Sequence, residues 1–103
     1  MPPYRCVVVP LLKVIGQRFI MPDWLAITIG PLIFSWRPLD KFELAHEVQH
    51  VRQWRREGLM YVPRYWAASD AAVKAGKDRY WDNRFEVEAR SAAEKVREEP
   101  TNG

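Results

Sequence analysis

The pattern of apolar and polar positions along the chain changes character near Pro38. Before that residue, short apolar and β-branched runs dominate, and such runs are typical of strands. The runs at 25–30 and 32–36 predict two strands, with the Gly–Pro pair between them as the turn. Residues 6–9 suit a strand, and residues 11–19 are compatible with a short helix.

After Pro38, apolar residues recur every three or four positions among charged ones, which predicts helices. The first is predicted over 40–57, because Asp40 and Glu43 can form a capping box at its start. Gly58 is a natural end for this helix. Its buried stripe is expected at i, i+4 and i+7: Leu44, Val48 and Val51.

The C-terminal third predicts a second principal helix over 83–98. Asn83 and Glu86 repeat the capping signal at its start, and Pro100 ends it. We expect 98–103 to form a flexible tail. Four positions form the predicted buried stripe: Phe85, Ala89, Ala92 and Val96. Residues 64–75 are compatible with a further helix between the two, with Pro63 near its start.

These elements predict an α+β fold, in which a small antiparallel sheet or hairpin packs with two principal helices. A length of 103 residues fits one domain, 1–103, and 48% hydrophobic residues exclude a disordered chain. The lone Cys6 excludes an internal disulfide and a cysteine-based zinc cluster. The longest apolar stretch, 24–36, is too short to span a membrane, and no signal peptide is recognised, so we expect a cytoplasmic protein.

The predicted helix at 40–57 carries the sequence His46-Glu47-Val48-Gln49-His50. Two histidines at i and i+4 lie one turn apart on one face, so both imidazoles can reach one zinc ion. Glu47 lies beside them, where its carboxylate can take a proton from a zinc-bound water. These are the chain's only 2 histidines, and they point away from the apolar stripe of the same helix.

A catalytic zinc site usually has three protein ligands, and the third ligand here has to be a carboxylate because no third histidine exists. Glu86 and Glu88 on the second helix are the candidates, and they flank its apolar stripe on opposite sides. The pattern of residues leaves both open. Glu86 has a structural alternative as the capping partner of Asn83.

The motif, followed downstream by Glu86-Val87-Glu88-Ala89, resembles the gluzincin clan of zinc metallopeptidases. In length and layout the chain is most similar to the minigluzincins, and the resemblance covers it from about Asp23 onward. The resemblance implies a minimal zincin-like fold and a zinc metalloendopeptidase. It implies that His46, His50 and Glu86 bind zinc, Glu86 being favoured over Glu88 by the Ala89 that follows three residues later. It also implies that Glu47 is the general base.

Three further expectations depend on this resemblance. These families often place Asp where this chain has Arg90, so the support of a ligand histidine is expected from Glu43, Asp82 or a backbone carbonyl. Tyr80 is the first candidate for stabilising the oxyanion. Two other tyrosines follow it: Tyr61 and Tyr65. A peptide or protein substrate is expected to bind along an edge strand at 26–29.

Two other functional classes compete with the peptidase. Four arginines, Arg52, Arg55, Arg56 and Arg64, indicate a basic helical module for nucleic acid or an acidic partner, although a net charge of +3 does not argue for nucleic acid. The second alternative is a zinc-binding protein without turnover. An intermediate alternative is a latent peptidase, in which residues 98–103 lie over the active site and block it.

Overall fold

The computed structural model describes residues 4–19 and 24–98. These residues form an α+β fold, as predicted. In chain order, the elements are β1 (Arg5–Val8), α1 (Leu12–Phe19), β2 (Ala26–Ile29), β3 (Leu32–Ser35), α2 (Lys41–Glu57), α3 (Tyr61–Lys74) and α4 (Arg84–Glu98). A single 3₁₀ turn, Gly58–Met60, connects α2 to α3.

The sheet has three strands in the order β1-β3-β2. β2 and β3 form the predicted antiparallel hairpin, and Gly30 turns between them with a φ of 58°. β1 differs from the prediction, because it pairs with β3 in parallel and makes the sheet mixed. In the chain, α1 and β2 lie between β1 and β3, so no turn sequence indicates that these two strands pair. Only the hairpin of β2 and β3 could be predicted. β2 lies at an edge of the sheet, as expected.

Helix α2 begins and ends where the sequence predicted. The Asp40 side chain accepts a hydrogen bond from the Glu43 backbone N–H (2.8 Å), and Glu43 Oε1 accepts from the Asp40 N–H (3.0 Å). This pair is the predicted capping box. Gly58 ends the helix with a φ of 62°, a conformation that glycine adopts without steric cost.

Helix α4 is also confirmed, but its start differs in detail. Asn83 Oδ1 accepts from the Phe85 N–H (2.8 Å), whereas the Glu86 side chain takes no part in the cap. Helix α3 begins at Tyr61, earlier than predicted. Pro63 lies in its first turn, where a missing N–H leaves no helical bond unmade. Glu98 is the last residue of α4, and the rest of the predicted tail lies outside the described residues.

Helix α2 lies between the sheet and α4. Toward the sheet, Val48 and Val51 pack on Ile33, with Leu44 partly buried beside them. A second apolar cluster joins α3 to α4 through Tyr61, Ala68 and Phe85, and Ala89 is buried behind it. Two predicted stripe positions near the end of α4 are only partly buried: Ala92 and Val96. Within 4–19 and 24–98, no helix combines the length and apolar character needed to cross a bilayer.

Candidate metal centre

Two helices bring His46, His50 and Glu86 together at the buried interface of α2 and α4. Nε2 of His50 lies 2.9 Å from Glu86 Oε1, and Nε2 of His46 lies 3.2 Å from the same oxygen. One ligand atom from each residue lies within 4.8 Å of the other two. His50 and Glu86 are buried, with 7% and 4% of their surfaces exposed, so solvent competes little for these groups.

Glu88, the other candidate carboxylate, points to a different set of partners. Its Oε1 accepts hydrogen bonds from Gln49 Nε2 and Gln53 Nε2, both at 2.9 Å, and lies 3.5 Å from Arg56. Of the two glutamates that the sequence left open, the structure therefore joins Glu86 to the histidines.

The partner of His50 on its second ring nitrogen is Gln53, which the sequence analysis missed. Gln53 Oε1 lies 2.8 Å from His50 Nδ1, and Gln53 Nε2 donates to the Phe85 carbonyl at 2.9 Å. Because a carbonyl can only accept, the amide oxygen faces His50, and Nδ1 has to carry the proton. Gln53 lies at i+3 from His50, one turn further along the same helix face, and this spacing was the available signal.

The residues predicted for this supporting role are engaged elsewhere. The carboxylate of Glu43 makes two hydrogen bonds with Arg37, at 2.8 and 2.7 Å. Asp82 Oδ2 accepts from the Asp78 N–H at 2.9 Å. Arg90 donates to the Trp81 carbonyl and lies over the Trp81 ring, 3.6 Å from its centroid. The amide of Gln53 therefore replaces the expected carboxylate or backbone carbonyl for His50.

In this cluster, the pKa of Glu86 is lowered and the pKa of His50 is raised. Burial by itself would raise the pKa of Glu86, but hydrogen bonds from His46, His50 and Tyr65 outweigh it and hold that pKa well below its usual range. Burial by itself would lower the pKa of His50, but the hydrogen bond and charge of Glu86 raise it. Glu86 is therefore a carboxylate at neutral pH, and a cation that binds there has to displace the proton that His50 Nε2 shares with Glu86.

The three donors fit zinc. Two imidazole nitrogens and one carboxylate oxygen form a ligand set that zinc accepts with one position left open. Both imidazoles present Nε2 to the centre of the cluster. For His50, Gln53 keeps the proton on Nδ1, so loss of the proton that Nε2 shares with Glu86 leaves the Nε2 lone pair as the one that can bind a metal.

Glu47 lies at the rim of this cluster. Its Oε2 is 4.0 Å from His46 Nε2, while its Oε1 accepts a hydrogen bond from Thr28 Oγ1 at 3.0 Å. Thr28 is a further residue that the sequence analysis did not single out. The alternation of side chains along a strand could have indicated it, because Thr28 is the one polar residue of β2 and lies on the same face as Ala26.

The three candidate tyrosines have different partners. Tyr65 donates its hydroxyl hydrogen to Glu86 Oε2, and Tyr61 donates to Gln53 Oε1 at 2.9 Å. Tyr80 borders the same cavity as His46 and Glu47. Burial first, and then the negative charges of Glu86 and Glu47, raise the pKa of Tyr80, so its hydroxyl stays protonated and can donate.

A cavity of about 580 Å³ opens onto the three ligand residues and Glu47, with β2 along one side. Much of its wall is apolar or aromatic, with contributions from Trp24, Phe42, Trp54, Val62 and Trp66. The edge of β2 is partly occupied, because the Thr28 carbonyl accepts a hydrogen bond from Trp54 Nε1 at 3.0 Å.

The predicted basic surface is partly neutralised. Arg56 and Arg64 both pair with Glu57, and Arg56 also approaches Glu88. Two of its four arginines therefore have acidic partners in the folded chain.

Comparison with known proteins yields no relative for this chain: no protein-family model, no curated protein and no solved structure matches it.

Proposed function

We propose that this protein is a zinc metalloendopeptidase whose metal ligands are His46, His50 and Glu86. The observation that carries the proposal is the convergence of three ligand atoms within 4.8 Å, with Glu47 at the rim of the cluster and a cavity in front of it. Zinc bound there would supply a Lewis acid that makes water acidic near neutral pH and polarises a peptide carbonyl.

In this proposal the protein's own groups handle the protons and the developing charge. Glu47 takes the proton of the attacking water and passes it to the leaving amine, because its free Oε2 faces the cluster while Thr28 holds Oε1. Tyr80 donates to the oxyanion that forms on the substrate carbonyl. Tyr65 holds the second oxygen of Glu86 and so fixes the orientation of that carboxylate.

The substrate is an extended peptide that adds to the edge of β2 beside the cavity. Residues 26–28 line the cavity, and the Thr28 carbonyl is already bound to Trp54. The aromatic and aliphatic wall favours an apolar side chain next to the bond that is cleaved.

The first experiment measures bound zinc by elemental analysis after reconstitution and desalting. Wild type is expected to hold about one zinc per chain. The variant Glu86→Gln is expected to lose most of it, whereas Glu88→Gln is the matched control because Glu88 lies on the same helix and hydrogen-bonds to glutamines of α2 instead. A wild type without zinc, or an equal loss in both variants, would overturn the proposed metal site.

The second experiment separates a peptidase from a zinc-binding protein without turnover. Glu47→Gln keeps the side-chain shape and the acceptor for Thr28, so zinc content should stay at the wild-type level while cleavage of a peptide library is abolished. If the tail covers the site, wild type will not cleave peptides either. The same assay therefore includes a variant that ends at residue 97. A Glu47→Gln variant that cleaves as fast as wild type would contradict the mechanism.

A further inference from the structure

The side chain of Gln53 joins the two helices that supply the metal ligands. It is fully buried, and each of its polar atoms has a partner. Its oxygen faces His50 Nδ1 on α2, and its nitrogen donates to the Phe85 carbonyl on α4, directly before Glu86. A single side chain therefore fixes the position of one ligand and of the backbone next to another.

The neighbouring Gln49 shows what a purely structural glutamine does at the same interface. Both glutamines donate to Glu88 Oε1 at 2.9 Å and so connect α2 to α4. Only Gln53 also contacts a histidine. Gln49 therefore controls for the bond to Glu88, whereas Gln53 alone also bonds to His50, Phe85 and Tyr61.

We infer that Gln53 is a positioning residue for the metal. It holds His50 with the proton on Nδ1, turns Nε2 toward Glu86 and His46, and sets the spacing between His50 on α2 and Glu86 on α4. The Tyr61 hydroxyl, 3.2 Å from His50 Nδ1, is a longer contact and donates its own hydrogen to Gln53. The inference rests on the metal site of the proposed function and does not depend on peptidase activity.

The test compares zinc affinity in wild type, Gln53→Met and Gln49→Met by competition with a chromophoric chelator. Methionine keeps the unbranched shape and approximate volume but removes the hydrogen bonds. Gln53→Met is expected to weaken zinc binding about 10–100-fold, as for other groups that orient a ligand histidine. Gln49→Met should stay within about threefold of wild type, since Gln49 is partly exposed and its hydrogen bonds go to Glu88 and Arg52 and not to a ligand residue.

A double variant covers the case in which Gln53→Met does not fold. Gln53→Glu combined with Glu88→Gln keeps an acceptor for His50 and a donor–acceptor pair between positions 53 and 88, although it removes the donor to the Phe85 carbonyl. It is expected to bind zinc within about tenfold of wild type, because the acceptor that orients His50 is kept although the bond to Phe85 is lost. Binding more than about tenfold weaker than wild type in this folded variant would overturn the inference.

Nuclear magnetic resonance gives a second readout that needs no zinc. The His50 Nδ1–H proton should be visible and slow to exchange in wild type and Gln49→Met, and should exchange quickly in Gln53→Met. If wild type binds no zinc, the proposed function fails and the role of Gln53 at a metal fails with it, while this resonance still shows whether Gln53 holds the proton on His50 Nδ1. Equal zinc affinity or equal proton exchange in the two methionine variants would overturn the role of Gln53 and leave the proposed peptidase standing.

Discussion

The two faces of helix α2 are packed by different interactions. Toward β3 of the sheet, the contacts are apolar, and Val48 and Val51 pack on Ile33. Toward α4, the contacts are directional hydrogen bonds between polar groups at the interface. The residues that make them on α2 are His46, Gln49, His50 and Gln53.

This difference divides α2 into one face that stabilises the fold and another that carries the candidate metal ligands. Apolar packing has little directional preference, so it stabilises the fold in proportion to the buried area and tolerates substitutions that conserve volume. A buried polar group tolerates less, because a donor or acceptor left without a partner costs free energy. The apolar face therefore anchors α2, while the polar face fixes the geometry of the candidate metal centre.

The largest expected effect comes from the apolar face. Ile33→Ala should lower the free energy of unfolding by about 2–5 kcal/mol, because Ile33 is fully buried and the change leaves a cavity. Urea unfolding measures the loss, and the same substitution at Ile29, which is half exposed, should cost less than about 1 kcal/mol. Zinc bound per folded molecule should stay unchanged in both variants. Loss of zinc from folded Ile33→Ala would show that the two faces are not independent.

The sequence predicted the parts of this arrangement that depend on neighbouring residues. The capping box of Asp40 and Glu43 and the apolar stripe of α2 each span a few positions, so spacing alone indicates them. The parallel pairing of β1 and the contact between Gln53 and Phe85 join distant segments. Helical periodicity predicts the direction of each side chain around the axis of its own helix. It does not predict how two helices cross.

The choice between Glu86 and Glu88 illustrates this limit. Both glutamates flank the apolar stripe of α4, and both accept hydrogen bonds from side chains of α2. Only the placement of α4 against α2 decides which of them meets the histidines, across 36 residues in the case of His50 and Glu86. The resemblance to gluzincins favoured Glu86, whereas the residue pattern did not distinguish the two.

An intermediate effect is expected where the sheet contacts the polar face. Thr28→Val removes the hydrogen bond to Glu47 at nearly constant volume, so Glu47 is held less well in its catalytic orientation. On the proposed function, kcat should fall about tenfold, equivalent to about 1.4 kcal/mol in the barrier. Thr28→Ser restores the hydroxyl and should recover most of the rate, while zinc content is unchanged in both variants. Wild-type kcat in Thr28→Val would show that this hydrogen bond does not position the base.

The smallest effect is expected at the start of α2, where an ion pair is only partly shielded from water. Two hydrogen bonds with Arg37 come first among the causes that hold the pKa of Glu43 below its usual value, and the contact with the Asp40 backbone adds to them. Because the lowered pKa belongs to the folded state, the charged carboxylate stabilises the fold above the unfolded pKa of about 4.3. That stabilisation is lost as the pH falls through the folded pKa.

Glu43→Gln should therefore destabilise the protein at pH 7 by about 0.5 kcal/mol, a modest value because solvent screens a pair with 42% and 27% of its side-chain surfaces exposed. The difference from wild type should shrink below about pH 4, when the wild-type carboxylate is protonated as well. Urea unfolding of both proteins at pH 7, 5 and 3 measures it, with Asp70→Asn as the control for a more exposed pair with Lys74. A difference that persists at pH 3, where both side chains are uncharged, would mean that the charge of Glu43 is not what stabilises the fold.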